Sequence, residues 1–186
     1  MGKVIVGSTI SLDGYINDHD GSVETLYSDL AAWRETDLGQ ESIRTTGAVI
    51  MGRNSYAMAE DPDWFAGNYE YQVPIFVLTH TPPQKMPKQT EGLTFTFVTD
   101  GIQSAVRQAK AAAGDRDVNV IGAASTAQQC LQERLADELH IDIMPVLLGS
   151  GLRLFEDIDA ESLPLERIKV MELPGGRTHL RFRIKK

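Results

Sequence analysis

Three stretches of this chain carry small or hydrogen-bonding residues directly after an apolar run, and that pattern suits the binding of phosphate. In Asp117 to Arg134, DVNVIGAASTAQQCLQER, the apolar Val118, Val120 and Ile121 give way to Gly122, Ala123 and Ala124 before a helix expected to open at Ser125 or Thr126. A helix start leaves backbone N–H groups without partners and carries the positive end of the helix dipole, so a small-residue turn there can seat an anion. Ser125 and Gln128 also fit the S/T-x-x-E/Q capping pattern. The competing reading is a plain strand-to-helix turn, since short glycine motifs are weak evidence of a ligand. In the second stretch, Ala48 to Met51 runs into Gly52, Arg53, Asn54 and Ser55. The arginine adds a fork of donors that matches phosphate oxygens, against the alternative of an exposed Arg beside a capping Asn or Ser. In the third, Pro74 to Leu78 ends at Thr79, His80 and Thr81. Strand C-terminal ends are where open α/β sheets bind ligands. Two carboxylates lie on or beside an apolar helical face. Asp37 continues the helical arc of Leu26, Leu30 and Trp33, and Asp29 lies at its flank. Asp37 could equally cap a second helix, and Asp29 could be a solvated edge.

The elements that must position these residues alternate along the chain. A strand is expected from about residue 3 through Thr9 and Ile10, followed by a turn-rich loop at Asn17 to Gly21 that is long enough to fold over a ligand. Val23 to Arg44 is helical in character. Strands follow at Ala48, Pro74 and Leu93, and then a helix is capped by Thr99 or Asp100, faces Ile102, Ala105, Val106 and Ala109 inward and stops at Gly114. After the Asp117 strand and its helix, a strand begins at Asp137-Glu138 and closes at Pro145. Strand, helix, strand with right-handed crossovers predicts a mainly parallel sheet flanked by helices. Leu165 to Leu173 and Thr178 to Ile184 alternate about Pro174-Gly175-Gly176, which predicts a C-terminal antiparallel hairpin. Its Arg177, Arg181, Arg183, Lys185 and Lys186 read as the solvated side of an edge strand.

Composition narrows the partners. With 186 residues, 42% of them hydrophobic, a single domain over residues 1–186 is expected. A formal charge of −8 argues against a nucleic-acid or anionic-membrane surface, so an anionic ligand needs local donors. The one cysteine, Cys130, rules out an intrachain disulfide and a cysteine-rich zinc site, and reads as a small core residue. The lack of a long apolar run or a signal segment predicts a cytoplasmic location, with no metal expected.

Taken in order, the pieces resemble the dihydrofolate reductase-like family, and more closely its branch related to the reductase domain of bacterial riboflavin biosynthesis. The resemblance rests on Ser11-Leu12-Asp13-Gly14-Tyr15-Ile16, Val49 to Tyr56, Val77-Leu78-Thr79-His80, Val120 to Ala123, Leu135 to Leu139 and, above all, Pro145 to Phe155. It implies NADPH as cofactor, lying across the C-terminal edge of the sheet. Gly52, Arg53, Asn54 and Ser55 would then hold phosphate, Thr79 with His80 would meet the adenosine 2′-phosphate side, and Leu78 would also meet the cofactor. Gly122, Ala123, Ala124, Ser125 and Thr126 would cradle the pyrophosphate and approach the nicotinamide, Thr9 and Ile16 would border the nicotinamide carboxamide, and Ile121 would also meet the cofactor.

The resemblance implies hydride transfer to a pteridine, pyrimidine or similar small C=N or C=O substrate, with Asp29, Asp37 or a water as the proton source. Where the family often has Gly-Gly, this chain has Gly122-Ala123. Asp29-Leu30-Ala31-Ala32-Trp33 looks like the acid-bearing helix of dihydrofolate reductases, but the usual Pro-Trp of the preceding loop is absent. Authentic dihydrofolate reductase and an NADPH-binding protein without turnover stand as alternatives. A homodimer sharing Met144 to Leu148 is also expected, because related reductase domains pair.

Overall fold

Side-chain alternation decides what each face of the sheet carries. In the computed structural model, which describes residues 2–122, 124–156, 158 and 163–185, eight strands form one sheet. They are β1 (Val4–Ser11), β2 (Thr46–Gly52), β3 (Ile75–Leu78), β4 (Phe95–Val98), β5 (Asp117–Ile121), β6 (Glu138–Met144), β7 (Leu165–Glu172) and β8 (Thr178–Ile184). The spatial order is β4-β3-β2-β5-β1-β6-β8-β7. Neighbours from β4 to β6 pair parallel, and β8 pairs antiparallel with both β6 and β7. The mainly parallel sheet flanked by helices and its C-terminal antiparallel hairpin are as expected.

Val4 and Val6 of β1, Val118 and Val120 of β5, and Leu139 and Ile141 of β6 share a core with α5 (Ile102–Ala113) and α6 (Ala124–Gln132). Cys130 is buried in that core. On β2, β3 and β4 the opposite face packs Val49, Met51, Val77 and Phe95 against Tyr56, Phe65 and Tyr71, an aromatic cluster that includes α3 (Arg53–Ala57) and α4 (Phe65–Asn68). Across β1, β5, β6 and β8 that same face is polar, and α1 (Leu30–Arg34) and α2 (Asp37–Thr45) contribute to the cavity there. The chain leaves β2 toward β3 on one side and leaves β5 toward β6 on the other. Connections that part in this way leave a crevice over the strands' C-terminal ends.

Several local expectations are corrected. The helical stripe from Val23 to Arg44 is a set of turns followed by two short helices, with Leu26 fully buried before the first. Thr36, not Asp37, caps α2, accepting from Gly39 N–H at 3.0 Å. Gly39 serves that junction, because a Cβ there would lie 2.3 Å from the Trp33 carbonyl oxygen. Gly101 rather than Thr99 or Asp100 precedes α5, with φ +97°. The last parallel helix starts at Ala124, and Gln128 donates to the carbonyls of Arg153 and Leu154 instead of completing a capping box. The edge strand is β7, so β8 is interior and its basic residues do not form an outer margin. Lys186 lies outside the described residues.

Two of the segments quoted for the resemblance lock together. Asp13 accepts from Leu148 N–H at 3.1 Å and Gly149 N–H at 2.8 Å, while Arg153 donates to the Asp13 carbonyl and to the Tyr15 hydroxyl. The Ser11 hydroxyl and these amides hold the Asp13 carboxyl down at a pKa of about 2. The Asn17–Gly21 loop is tied at its base, where Asn17 accepts from Leu152 N–H.

Candidate functional site

A cavity of about 180 Å³ opens on the polar face of the sheet. Lys3, Ile5, Gly7 and Thr9 of the first strand and its approach line it, with Asp117, Asn119 and Ile121 of β5 and Glu138, His140 and Asp142 of β6. Alternation explains the set, since β6 reads Glu-Leu-His-Ile-Asp and sends every second residue to this side. Leu30, Trp33, Leu38 and Glu41 form the opposite wall, and Tyr27, Arg177, His179 and Arg181 complete it. Gly7 leaves the floor bare, because a Cβ there would meet nothing within 4 Å.

One hydrogen-bonded chain of charges runs through this wall. Arg177 is 2% exposed. Its Nε donates to Asp29 Oδ2 at 3.0 Å, Nη1 to Thr9 Oγ1 and Asp142 Oδ2 at 3.0 Å each, and Nη2 to Asp29 Oδ1 at 2.5 Å and the Leu26 carbonyl at 3.1 Å. Those contacts use all five N–H donors of a guanidinium. Burial would lower the pKa of Arg177, but Asp29 and Asp142 outweigh it and raise it. His179 Nε2 accepts from Arg181 Nε at 3.0 Å, so Nδ1 carries the proton that it donates to Asp142 Oδ1 at 2.6 Å. Arg181 then reaches Glu41 at 2.9 Å, and that partner holds the Glu41 carboxyl below its ordinary value.

At the other end of the wall, His140 bonds Glu138 at 2.9 Å and Lys3 reaches Glu138 at 2.7 Å. Burial drives His140 down to a pKa of about 4, and Arg181 and His179 reinforce that against the Glu138 hydrogen bond. His140 is therefore neutral at pH 7 and donates to a carboxylate. Burial alone would raise the Glu138 pKa, but Lys3 and His140 outweigh it and the net direction is down.

A second cleft of about 340 Å³ lies at the strand ends, lined by Gly52, Arg53 and Asn54, by Leu78, Thr79 and His80, by Thr99 and Gly101, and by Ser125, Thr126 and Gln129. No carboxylate is among its described lining residues. Arg53 and His80 are exposed and make no side-chain hydrogen bond or ion pair with the described residues. The first turn of α6 borders this cleft, placing helix-start amides beside it. β5 runs between the two sites, since Ile121 lines the cavity and Ser125 lines the cleft.

The residues picked out from sequence divide between these places. Gly52, Arg53, Asn54, Leu78, Thr79, His80, Ser125 and Thr126 come together on the cleft, while Thr9 and Ile121 line the cavity. Gly122 is packed under the cleft, with φ +50° and a Cβ position 2.4 Å from Ser55 Oγ. Ala124 is buried in α6, and Ile16 packs against the main core with its N–H bonded to the Leu152 carbonyl. Ala123 lies outside the described residues. Neither candidate acid lines the cavity: Asp29 gives both oxygens to Arg177, and Asp37 is exposed on α2. The reading of Arg177 and Arg181 as solvated is corrected, since both belong to the buried network.

Glu138, His140, Asp142 and His179 were missed from sequence. The available signal was charge at alternate positions of β6, a strand with neighbours on both sides in a sheet covered by helices, where apolar residues are the usual occupants.

The family model described as RibD C-terminal domain matches residues 2–178. The uncharacterized protein YwjB of Bacillus subtilis (strain 168) is 28% identical over 162 residues, covering 86% of each chain. Among solved structures, a protein whose name assigns it provisionally to riboflavin biosynthesis, from Shewanella sp. PV-4, aligns with TM-score 0.77 and 27% identity over 99% of both chains. The Thermotoga maritima diaminohydroxyphosphoribosylaminopyrimidine deaminase/5-amino-6-(5-phosphoribosylamino)uracil reductase aligns with TM-score 0.72 and 16% identity, over 99% of this chain and 57% of that one. Dihydrofolate reductase from Enterococcus faecalis, complexed with NADP(H) and RAB-propyl, aligns with TM-score 0.62 and 16% identity, over 100% and 98% of the two chains. At that identity the last two likenesses concern the fold.

Proposed function

The chain belongs to the RibD C-terminal domain family, and we propose that it is an NADPH-dependent reductase of a small pyrimidine- or pteridine-like heterocycle. The observation that carries this reading is an acid-free cleft at the strand ends, in a chain of net charge −8, beside a polar cavity on the same sheet. The donor set suits a phosphorylated dinucleotide. Arg53 and His80 would take the 2′-phosphate, while Ser125, Thr126 and the first turn of α6 would take the pyrophosphate. Gly7 and Thr9 would border the nicotinamide ring at the bare patch of floor.

Bound there, NADPH would supply a hydride to the carbon of a C=N or C=O bond, leaving the nitrogen or oxygen to take a proton. The chain's part is to hold the two rings in contact and to set the electrostatics around them. Glu41 and Glu138 have pKa values below the ordinary range, stay ionised at neutral pH and are poor acids. With neither candidate acid on the cavity wall, water admitted with the substrate would supply the proton. Asp29 acts through Arg177, which it helps to hold in place.

The test is NADPH oxidation followed by absorbance across dihydropterins, dihydrofolate and ribosyl-aminopyrimidines. Turnover with at least one of these supports the reading, and tight NADPH binding with no oxidation of any would replace it with a nucleotide-binding role.

A further inference from the structure

We propose that the proton supplied by water reaches the substrate through the Tyr27 hydroxyl, which makes Tyr27 the catalytic acid of the cavity. This role rests on the reductase reading and deepens it. Tyr27 lines the cavity with Gly7, Thr9 and Arg177, at the end where the nicotinamide ring would lie.

The turn that carries Tyr27 is pinned on both sides. Arg177 Nη2 donates to the Leu26 carbonyl at 3.1 Å, and the same guanidinium holds both Asp29 oxygens. Leu26 is fully buried, and the Leu30 N–H returns to the Tyr27 carbonyl at 3.1 Å. A phenol on that fixed backbone has only two rotatable bonds, so little of its freedom is left to lose when a substrate arrives. Arg177 also acts on the hydroxyl itself. Thr9 Oγ1 accepts from Arg177 Nη1 at 3.0 Å, so its own hydrogen is available to the Tyr27 oxygen beside it. That leaves the Tyr27 hydrogen for a ligand in the cavity. Burial pushes the Tyr27 hydroxyl above its ordinary pKa, the Thr9 hydrogen bond and the charge of Arg177 pull it down, and Asp142 pushes it up again. The phenol is therefore protonated at pH 7, and the tyrosinate left by proton transfer finds a donor and a cation already in place.

The other groups on the wall are worse suited. The five carboxylates of the described lining, Glu41, Glu70, Asp117, Glu138 and Asp142, each accept from an N–H donor, which favours the form with no proton to give. His140 and His179 already donate to carboxylates, and arginines keep their protons. Lys3 stands six residues before Thr9 on the first strand and its approach, about 20 Å away along an extended chain. Tyr71, the other phenol, packs in the aromatic cluster with its hydroxyl 2.8 Å from that of Ser42.

In the step itself, hydride adds to the carbon of the C=N bond and the π pair moves to nitrogen. The Tyr27 O–H bond breaks as the new N–H bond forms. Tyrosinate then regains its proton from water, so each turnover consumes one hydride and one solvent proton and leaves Tyr27 as it began.

The experiment compares wild type, Tyr27→Phe and Thr9→Val by single-turnover NADPH oxidation and by calorimetric NADPH binding. Dihydropterins, dihydrofolate and ribosyl-aminopyrimidines serve as substrates, and the one that wild type reduces fastest is carried into the variants. A general acid contributes roughly 10²–10⁴-fold, and water can enter the space left by the hydroxyl, so Tyr27→Phe should lose about 100-fold in rate. Its NADPH affinity should stay within about threefold of wild type. Thr9→Val cuts the link to Arg177 and should slow the same step about tenfold, the worth of one hydrogen bond. A Tyr27→Phe rate within about threefold of wild type, a loss of NADPH affinity as large as its loss of rate, or an unchanged rate in Thr9→Val would each overturn the proposal. A wild-type chain that binds NADPH but oxidises it with none of these substrates would sink the reductase reading, and this role with it.

Discussion

Replacing Arg177 by methionine would strip the cation from between Asp29 and Asp142, and the structure gives the size of the consequence. The guanidinium makes five hydrogen bonds, and the two carboxylate side chains are only 16% and 12% exposed. Removing one partner of a buried pair costs roughly 3–5 kcal/mol, because the remaining charges stay desolvated. Partial exposure of both aspartates puts the expected loss at the lower end, about 3 kcal/mol. Against a stability on the order of 5–15 kcal/mol the variant still folds. With a urea slope of about 2 kcal/mol per molar, its midpoint should fall by about 1.5 M. Trp33 and Trp64 supply the fluorescence signal. Adding Asp29→Asn and Asp142→Asn should recover part of the loss, since the desolvated charges go with them. A midpoint shift under about 0.3 M would show that Arg177 does not offset the buried charges of Asp29 and Asp142. Asp29→Asn alone separates two roles: lowered stability marks an anchor, whereas a fall in kcat at unchanged stability would mark a proton donor.

The pH dependence of stability should carry the mark of His140. An unfolded histidine protonates near pH 6.5 and the folded one near 4, so between these values the unfolded state binds the extra proton. Stability is then complete above pH 6.5 and falls by about 3 kcal/mol as pH drops toward 4, and His140→Gln should flatten that slope. Equal slopes for the two proteins in urea titrations would assign the effect elsewhere. Gly122→Ala should cost about 1–2 kcal/mol, through its positive φ and the contact with Ser55 Oγ. Adding Ser55→Ala should restore only the contact part in thermal unfolding, and full restoration would deny any backbone strain. The proposed homodimer, with Leu147 standing 72% exposed in the segment expected at its interface, should scatter light as twice the 20.5 kDa of one chain. A monomer mass at micromolar concentration would remove that claim.

The succession of strands along the chain and the grouping of residues on the cleft were legible because both depend on neighbours in sequence. Val118 and Val120 alternate, Gly122 follows, and a helix start comes next, so geometry within one segment puts Ser125 and Thr126 at the strand end. Arg177 was not legible for the opposite reason. Its partners Asp29 and Thr9 lie 148 and 168 residues away, and nothing beside it in the hairpin indicates burial. The stripe of Leu26, Leu30 and Trp33 misled in another way. Leu26 is buried in a turn, and the Thr36 cap restarts the helix, so the shared spacing does not reflect one continuous helix. Gln128 has the capping pattern, but the distant 153–154 carbonyls claim its side chain.

The central claim is that the acid-free cleft receives the phosphates of NADPH, and the most direct measurement compares NADPH and NADH binding to the wild-type chain and to Arg53→Ala by calorimetry. Wild type should prefer NADPH, and Arg53→Ala should lose roughly 10- to 100-fold of its NADPH affinity, the worth of a charge-assisted phosphate contact, with little change for NADH. Equal affinity of wild type for the two dinucleotides, or an Arg53→Ala variant that keeps its preference for NADPH, would contradict it.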